Sequence, residues 1–193
     1  MRTFLIAGFA LLLVIVVAIP GCVLLRERWR DHSHDLTTRA NIDLARYMGA
    51  WHVIANIPYF AERGKIASRD EYALRNDGRI DNVYVYRKSF DAEEQRTAAI
   101  ATVVPGSNNA QWKIRFLGFL SVDYLVLDVA PDYSWALIGY PDRSLGWIFS
   151  RSPQMDDALY RDLLERLRGY GYDIAKFQRV AQIPAQQGQA GFQ

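Results

Sequence analysis

The sequence predicts an all-β fold: an eight-stranded antiparallel up-and-down β-barrel with a C-terminal α-helix packed outside it, preceded by an N-terminal signal or anchor segment. Three observations lead there. Short runs with period-two alternation recur between Trp51 and Ser152, each bounded by Gly, Pro, Asn or Asp. The turns between them are short, so consecutive runs pair as neighbours, and a sheet of eight such strands loses its edges by closing. The period changes at 155–168, where Leu159, Leu163, Leu164 and Leu167 fall at helical spacing with charges between them.

The domain begins near Asn41, a plausible cap for a short helical stretch ending at Tyr47. Gly49-Ala50-Trp51 follows. A glycine there lets the chain bend where a side chain would clash, and the Trp brings a large ring into the first strand, 51–57. The second strand is 68–75, and Asn76-Asp77-Gly78 is a hairpin turn because these residues tolerate positive φ. The third strand is 79–90 and the fourth is 95–104. Pro105-Gly106-Ser107-Asn108-Asn109 turns into the fifth, 111–117, in which Trp112, Ile114 and Phe116 alternate with Lys113 and Arg115. The sixth is 123–130, the seventh 133–140 and the eighth 145–152. Pro153 precedes the helix and Gly169 and Gly171 end it. A short strand is expected within 171–181, and a flexible Gln-, Ala- and Gly-rich tail over 184–193.

The first 21 residues read as an export signal or a membrane anchor: Met1-Arg2-Thr3, then an apolar run of about 17 residues to Pro20, then Gly21-Cys22. Residues 22–40 are polar and charged and read as a tether. The alternative of an uncleaved transmembrane helix stays open, with Arg26, Arg28 and Arg30 set against the positive-inside expectation for an exported domain. Either way the domain is held at a membrane.

Composition removes several function classes. A net charge of +2 is too small for a nucleic-acid binder. The single cysteine, Cys22, allows neither an internal disulfide nor a cysteine zinc site. No phosphate loop, His-Glu-x-x-His or dinucleotide fingerprint occurs. His32 and His34 stand two apart in the tether without a third ligand nearby, and no metal or cofactor is expected.

Gly49-Ala50-Trp51, Asp132-Tyr133 entering the seventh strand and Arg151 ending the eighth resemble the three sequence blocks of the lipocalins. Glu62-Arg63-Gly64, 72–78, Trp147-Ile148-Phe149-Ser150-Arg151 and Gly171-Tyr172-Asp173 are similar to the bacterial, outer-membrane branch, over 41–181 or so of the chain. Ile19-Pro20-Gly21-Cys22 resembles a lipobox, with Pro20 where a smaller residue is usual. The resemblance implies a lipocalin domain over 41–183, lipidation at Cys22, and outer-membrane sorting because Val23 is not aspartate. It further implies that Trp51 closes one barrel end with Arg151 stacked across it.

With Trp51 and Arg151 set inward, alternation points Tyr72, Tyr84, Ile100, Trp112, Ile114, Phe116, Tyr124, Val126, Trp135, Leu137, Trp147 and Phe149 into the barrel. Asp70 and Asp128 share that parity, and a register slip of one residue would turn them out. An apolar, aromatic lining suits an acyl chain, so the expected ligand is a hydrophobic small molecule. The resemblance implies a fatty acid or lysophospholipid, in envelope lipid storage or transport. The expected partners are this ligand and the membrane, with no nucleic acid and with a homodimer left open. Two other classes stay in view: a structural envelope protein whose barrel is filled by its own side chains, and an enzyme on the same fold. The enzyme is the weaker, because His52 has outward parity and no Ser-His-Asp set can be assembled inside.

Overall fold

The computed structural model describes residues 36–38, 40–116 and 120–193. The chain divides into two compact units, Met1–His34 and Asp35–Gln193, and all described residues belong to the second. The expected signal or anchor, Cys22, His32 and His34 lie outside the described residues. Among the described residues no helix is long and apolar enough to cross a membrane.

A four-residue helix, α1 (Leu44–Tyr47), leads into the sheet, capped by Asp43, not Asn41: the Asp43 carboxylate accepts from the backbone N–H groups of Ala45 and Arg46. The strands are β1 (Gly49–Asn56), β2 (Ile66–Leu74), β3 (Ile80–Arg87), β4 (Gln95–Val103), β5 (Gln111–Phe116), β6 (Leu120–Val129), β7 (Trp135–Gly139) and β8 (Gly146–Ser150). Each pairs antiparallel with its neighbours, and β1 pairs with both β8 and β2, so the sheet closes. The predicted turn chemistry is in place: Gly78 has φ +79°, and the Asp77 carboxylate accepts from the Arg79 N–H.

Irregularities in register set which residues face the interior. β1 shifts between Val53 and Ala55, and β6 between Val126 and Asp128. One extra residue at each place sends two successive side chains to the outer face. There Ile54, Ala55 and Leu127 join a core outside the barrel wall, with Leu125, Leu137 and Ile148. This core is covered by α2 (Asp157–Gly169), whose Leu163 and Leu167 are fully buried against it. Asp156 caps the start of α2, and Gly171 at φ +84° lets the Tyr172 N–H reach back to the Leu167 carbonyl at its end. Tyr172 and Phe177 then lie so close to the wall that a Cβ at Gly146 would come within 2.9 Å of both rings.

β1 and β2 pair only between Gly49↔Tyr72 and His52↔Arg69, and then part. The segment after α2 fills the gap. β9 (Gln178–Arg179) pairs with Ala55 and Asn56, and the Gln182 amide donates to the carbonyls of Val53 and Ser68. The tail expected to be flexible packs back instead: the Phe192 ring lies 4.7 Å from the Arg179 guanidinium and the Gln193 amide donates to Asn56. Aromatic and amide contacts of this kind are invisible in a composition that reads as low complexity.

One barrel end is shut. The Arg151 guanidinium lies 3.7 Å over the Trp51 ring and donates to the carbonyls of Ala50, Arg46, Tyr47 and Met48. The Trp51 indole donates to the Tyr47 carbonyl at 2.8 Å. Gly49 makes this approach feasible: it has φ +95°, and a Cβ there would sit 3.3 Å from Arg151 Nη1. Tyr133, at φ +63°, offers its hydroxyl to the Asp43 N–H and its ring face to Arg46. The preceding Asp132 accepts from the Ser134 N–H and shapes that turn. Arg151→Ala is expected to lower stability by about 2–3 kcal/mol, since four carbonyls lose a charged donor and the indole loses its cation. Urea unfolding measures this, and an unchanged midpoint would show that the end holds without Arg151.

Candidate ligand site in the barrel

The interior divides into a packed floor and an accessible upper half. At the floor Tyr47, Trp51, Tyr72, Trp112, Tyr124 and Phe149 are all buried. Their rings interlock: Trp112 stacks on Tyr124 at 5.0 Å, and Tyr47 and Tyr72 meet Trp112 edge-on at 5.3 and 5.4 Å. The three phenols close a hydrogen-bonded chain, Tyr72 donating to Tyr124 and Tyr124 sharing a 2.7 Å bond with Tyr47. Burial pushes all three phenols well above their ordinary pKa, so they stay neutral. Tyr72, Trp112, Tyr124 and Phe149 therefore face inward, as alternation predicts, and build the floor.

Above it, Ile114 and Val126 are buried, whereas Tyr84, Phe116, Val122 and Trp147 face inward and keep part of their surface accessible. Asp70 stands between the two halves, beside Trp51 and Tyr84 in the register. The barrel encloses it and yet it keeps accessible surface, as a residue on the wall of an internal space does. The Asn82 amide donates to its Oδ1 at 2.8 Å. Burial pushes the Asp70 carboxyl up to about 7, the Asn82 donor opposes this, and the charge of Glu62 adds to it.

Four inward assignments are corrected. Ile100 is on the outer wall with Arg79, Thr102 and Lys113, because the inward positions of β4 are Ala99 and Ala101. Trp135 and Leu137 pack in the outer core, and Ala136 and Ile138 point inward in their place. Asp128 also turns out, past the shift in β6, and pairs with Arg166 of α2 at 3.1 Å.

Glu62, in the loop after β1, is a site residue that alternation could not reach. It is 7% exposed, and its Oε2 accepts from Asn56 Nδ2 at 2.6 Å and from the Trp147 indole at 2.9 Å. Burial raises its pKa, while those two donors and nearby Lys65 hold it back. The available signal was the Glu62-Arg63-Gly64 block. Nearby, Lys65 Nζ sits 3.5 Å over the Tyr86 ring and 5.1 Å over Tyr84. Phe60 is 90% exposed on the same loop. His52 faces away from this space, its Nδ1 3.3 Å from the Gln182 side-chain oxygen. No cluster of metal-ligating side chains occurs among the described residues.

The raised Asp70 pKa has a consequence for stability. Between its ordinary value and about 7 the folded protein holds a proton that the unfolded chain has released. Stability therefore falls as pH rises through that window, by at most about 4 kcal/mol for such a shift. Asp70→Asn is expected to flatten this slope and to stabilise the protein most at about pH 8. Unfolding midpoints measured across the window decide it; a slope equal to that of the unaltered protein would mean Asp70 titrates as an ordinary carboxyl.

A family model described as a lipocalin-like domain matches residues 42–182. Temperature-induced lipocalin-1 of Arabidopsis thaliana is 34% identical over 151 residues, covering 73% of this chain and 80% of the plant protein. Outer membrane lipoprotein Blc of Escherichia coli (strain K12) is 31% identical over 150 residues, covering 76% of this chain and 83% of the relative. Among solved structures, insecticyanin from the tobacco hornworm Manduca sexta superposes with a TM-score of 0.61 at 18% identity, over 78% of this chain and 85% of that one. At that identity the likeness speaks for the fold. With the closed eight-stranded barrel, its outer helix and the shut end beneath Trp51, these matches establish that the chain belongs to the lipocalin family.

Proposed function

We propose that this lipocalin takes a small hydrophobic ligand into the upper half of its barrel, and that the ligand is a single-chain lipid such as a fatty acid or lysophospholipid. One observation carries the reading: inside a closed wall, Tyr84, Phe116, Val122 and Trp147 keep accessible surface above a fully buried floor. Apolar surface left open there is stabilised by about 25 cal/mol per Å² when a chain covers it. The exposed Phe60 at the rim offers a lipid tail apolar surface on its way in. In this reading Ile114, Phe116, Val126 and Trp147 contact the chain, and Tyr84 lies near its polar end.

The domain works at the outer membrane, tethered through lipidated Cys22, in storage or maintenance of envelope lipid. The lipobox-like Ile19-Pro20-Gly21-Cys22 supports this, as does the likeness to relatives named outer membrane lipoproteins. The role is carriage and not catalysis. Supporting this, His52 is directed at Gln182 outside the barrel, and the buried phenols are held neutral.

Organic extraction of the full-length protein from a membrane preparation, followed by mass spectrometry, tests the reading. A near-stoichiometric single-chain lipid is the expected result. An empty extract together with unchanged Trp emission on adding lipid would sink it. Two substitutions localise the site. Val122→Trp is expected to fill the upper barrel and weaken binding by at least about tenfold, corresponding to roughly 1.4 kcal/mol. Trp135→Phe, in the outer core, is expected to leave affinity unchanged. Equal affinities for both variants in a fluorescence titration would move the ligand out of the barrel.

A further inference from the structure

We infer that the upper barrel selects ligands carrying an organic ammonium group, which Glu62 and Asp70 receive among the rings of Tyr59, Tyr84 and Trp147. This rests on the carrier reading above and narrows its ligand class, favouring an amine-bearing single-chain lipid over a free fatty acid.

The two carboxylates are built alike. Glu62 Oε2 is held by Asn56 and the Trp147 indole, and Asp70 Oδ1 by Asn82. Among the described residues nothing donates a hydrogen bond to the second oxygen of either. Neither is sealed off: among the described residues the fully buried polar side-chain atoms without a partner are Arg179 Nε and Gln193 Oε1. Each carboxylate thus has one oxygen fixed for orientation and a second that is not fully buried.

The surroundings decide the sign of the charge they receive. Among the described residues, the groups that interact electrostatically with Asp70 are Glu62 and Tyr59 from the loop after β1, Tyr72 of its own strand, Tyr84 of β3 and Tyr47 of α1, and none of these is cationic. An anionic head group would add a further negative charge beside two acids in an enclosed space, where like charges repel strongly. An ammonium would gain an ion pair and the ring faces together. The protein already places one ammonium in this kind of setting. Lys65 Nζ stands over the Tyr86 and Tyr84 rings and acts on Glu62, at the outer edge of the same aromatic wall. It shows that ring faces backed by a carboxylate accept this charge here.

The test compares three probes with one short chain, octyltrimethylammonium, octanol and octanoate, titrated against the full-length protein, with the Val122→Trp variant as the blank for binding elsewhere. The ammonium is expected to bind about tenfold more tightly than octanol, and octanoate more weakly than octanol. The preference should grow as pH rises through the Asp70 range, because binding a cation favours the ionised carboxyl. Asp70→Asn and Glu62→Gln should each reduce the ratio of ammonium to octanol affinity several-fold. Octanoate binding as tightly as the ammonium, or a ratio unmoved by both substitutions, would overturn the inference and leave Lys65 as the group that reads the head. Octanol binding without the ammonium would overturn the inference alone. If octanol too fails to bind above the blank, the carrier reading falls and the inference with it.

Discussion

A single guanidinium on a single indole shapes this barrel. Arg151 has to leave water to lie on Trp51, and desolvation lowers its pKa. It is kept charged there by four backbone carbonyls from 46–50, a stretch that must curl tightly to present them. Gly49 permits the curl and α1 supplies two of the carbonyls, those of Arg46 and Tyr47. Because Tyr47 then points down onto Trp112 and Tyr72, the plug extends into a floor of interlocked rings. Beyond this sealed end, the inward-facing Tyr84, Phe116, Val122 and Trp147 keep part of their surface accessible.

That division explains why some residues were legible from the sequence and others were not. Trp112, Ile114 and Phe116 alternate with Lys113 and Arg115, so polarity alone fixes their face. β4 has no such contrast: Thr97-Ala98-Ala99-Ile100-Ala101 is weakly contrasted between its two faces, so alternation carried over from Trp51 and Arg151 set Ile100 inward with nothing in the strand to correct it. β7 fails differently. It lies between the interior and the core beneath α2, so Trp135, Ala136, Leu137 and Ile138 are apolar on both faces. Its larger residues go to the helix side and alternation carries no information. Asp128 shows a third cause, since an extra residue in β6 reverses parity beyond Val126. Strand number, order and the shut end needed none of this detail and were readable from turns and from the Gly49, Trp51 and Arg151 blocks.

The loop after β1 matters as much at the open end as Arg151 does at the closed one. Glu62 reaches back to Asn56, at the end of β1, and Trp147, at the start of β8, which pair across the wall. It ties the loop to β8 and to β1, the strand that the C-terminal segment also joins, through Gln193 on the Asn56 side-chain oxygen. The upper rim on that side is therefore a hydrogen-bonded frame. A frame of this kind orders Trp147, which keeps part of its surface accessible.

Burying two carboxylates in a barrel is unfavourable for folding, because each prefers water and, among the described residues, neither is paired with an arginine. A purely structural barrel would be more stable with amides or apolar residues at 62 and 70. The rest of the chain makes the contrast plain: on the outer face Arg69, Glu71, Glu94 and Arg96 neutralise one another over the buried Val85. Charges are thus paired where the wall is solid and left half-satisfied where it is open. That distribution suits a protein whose interior is completed by another molecule, with the missing interaction supplied at the free carboxylate oxygens.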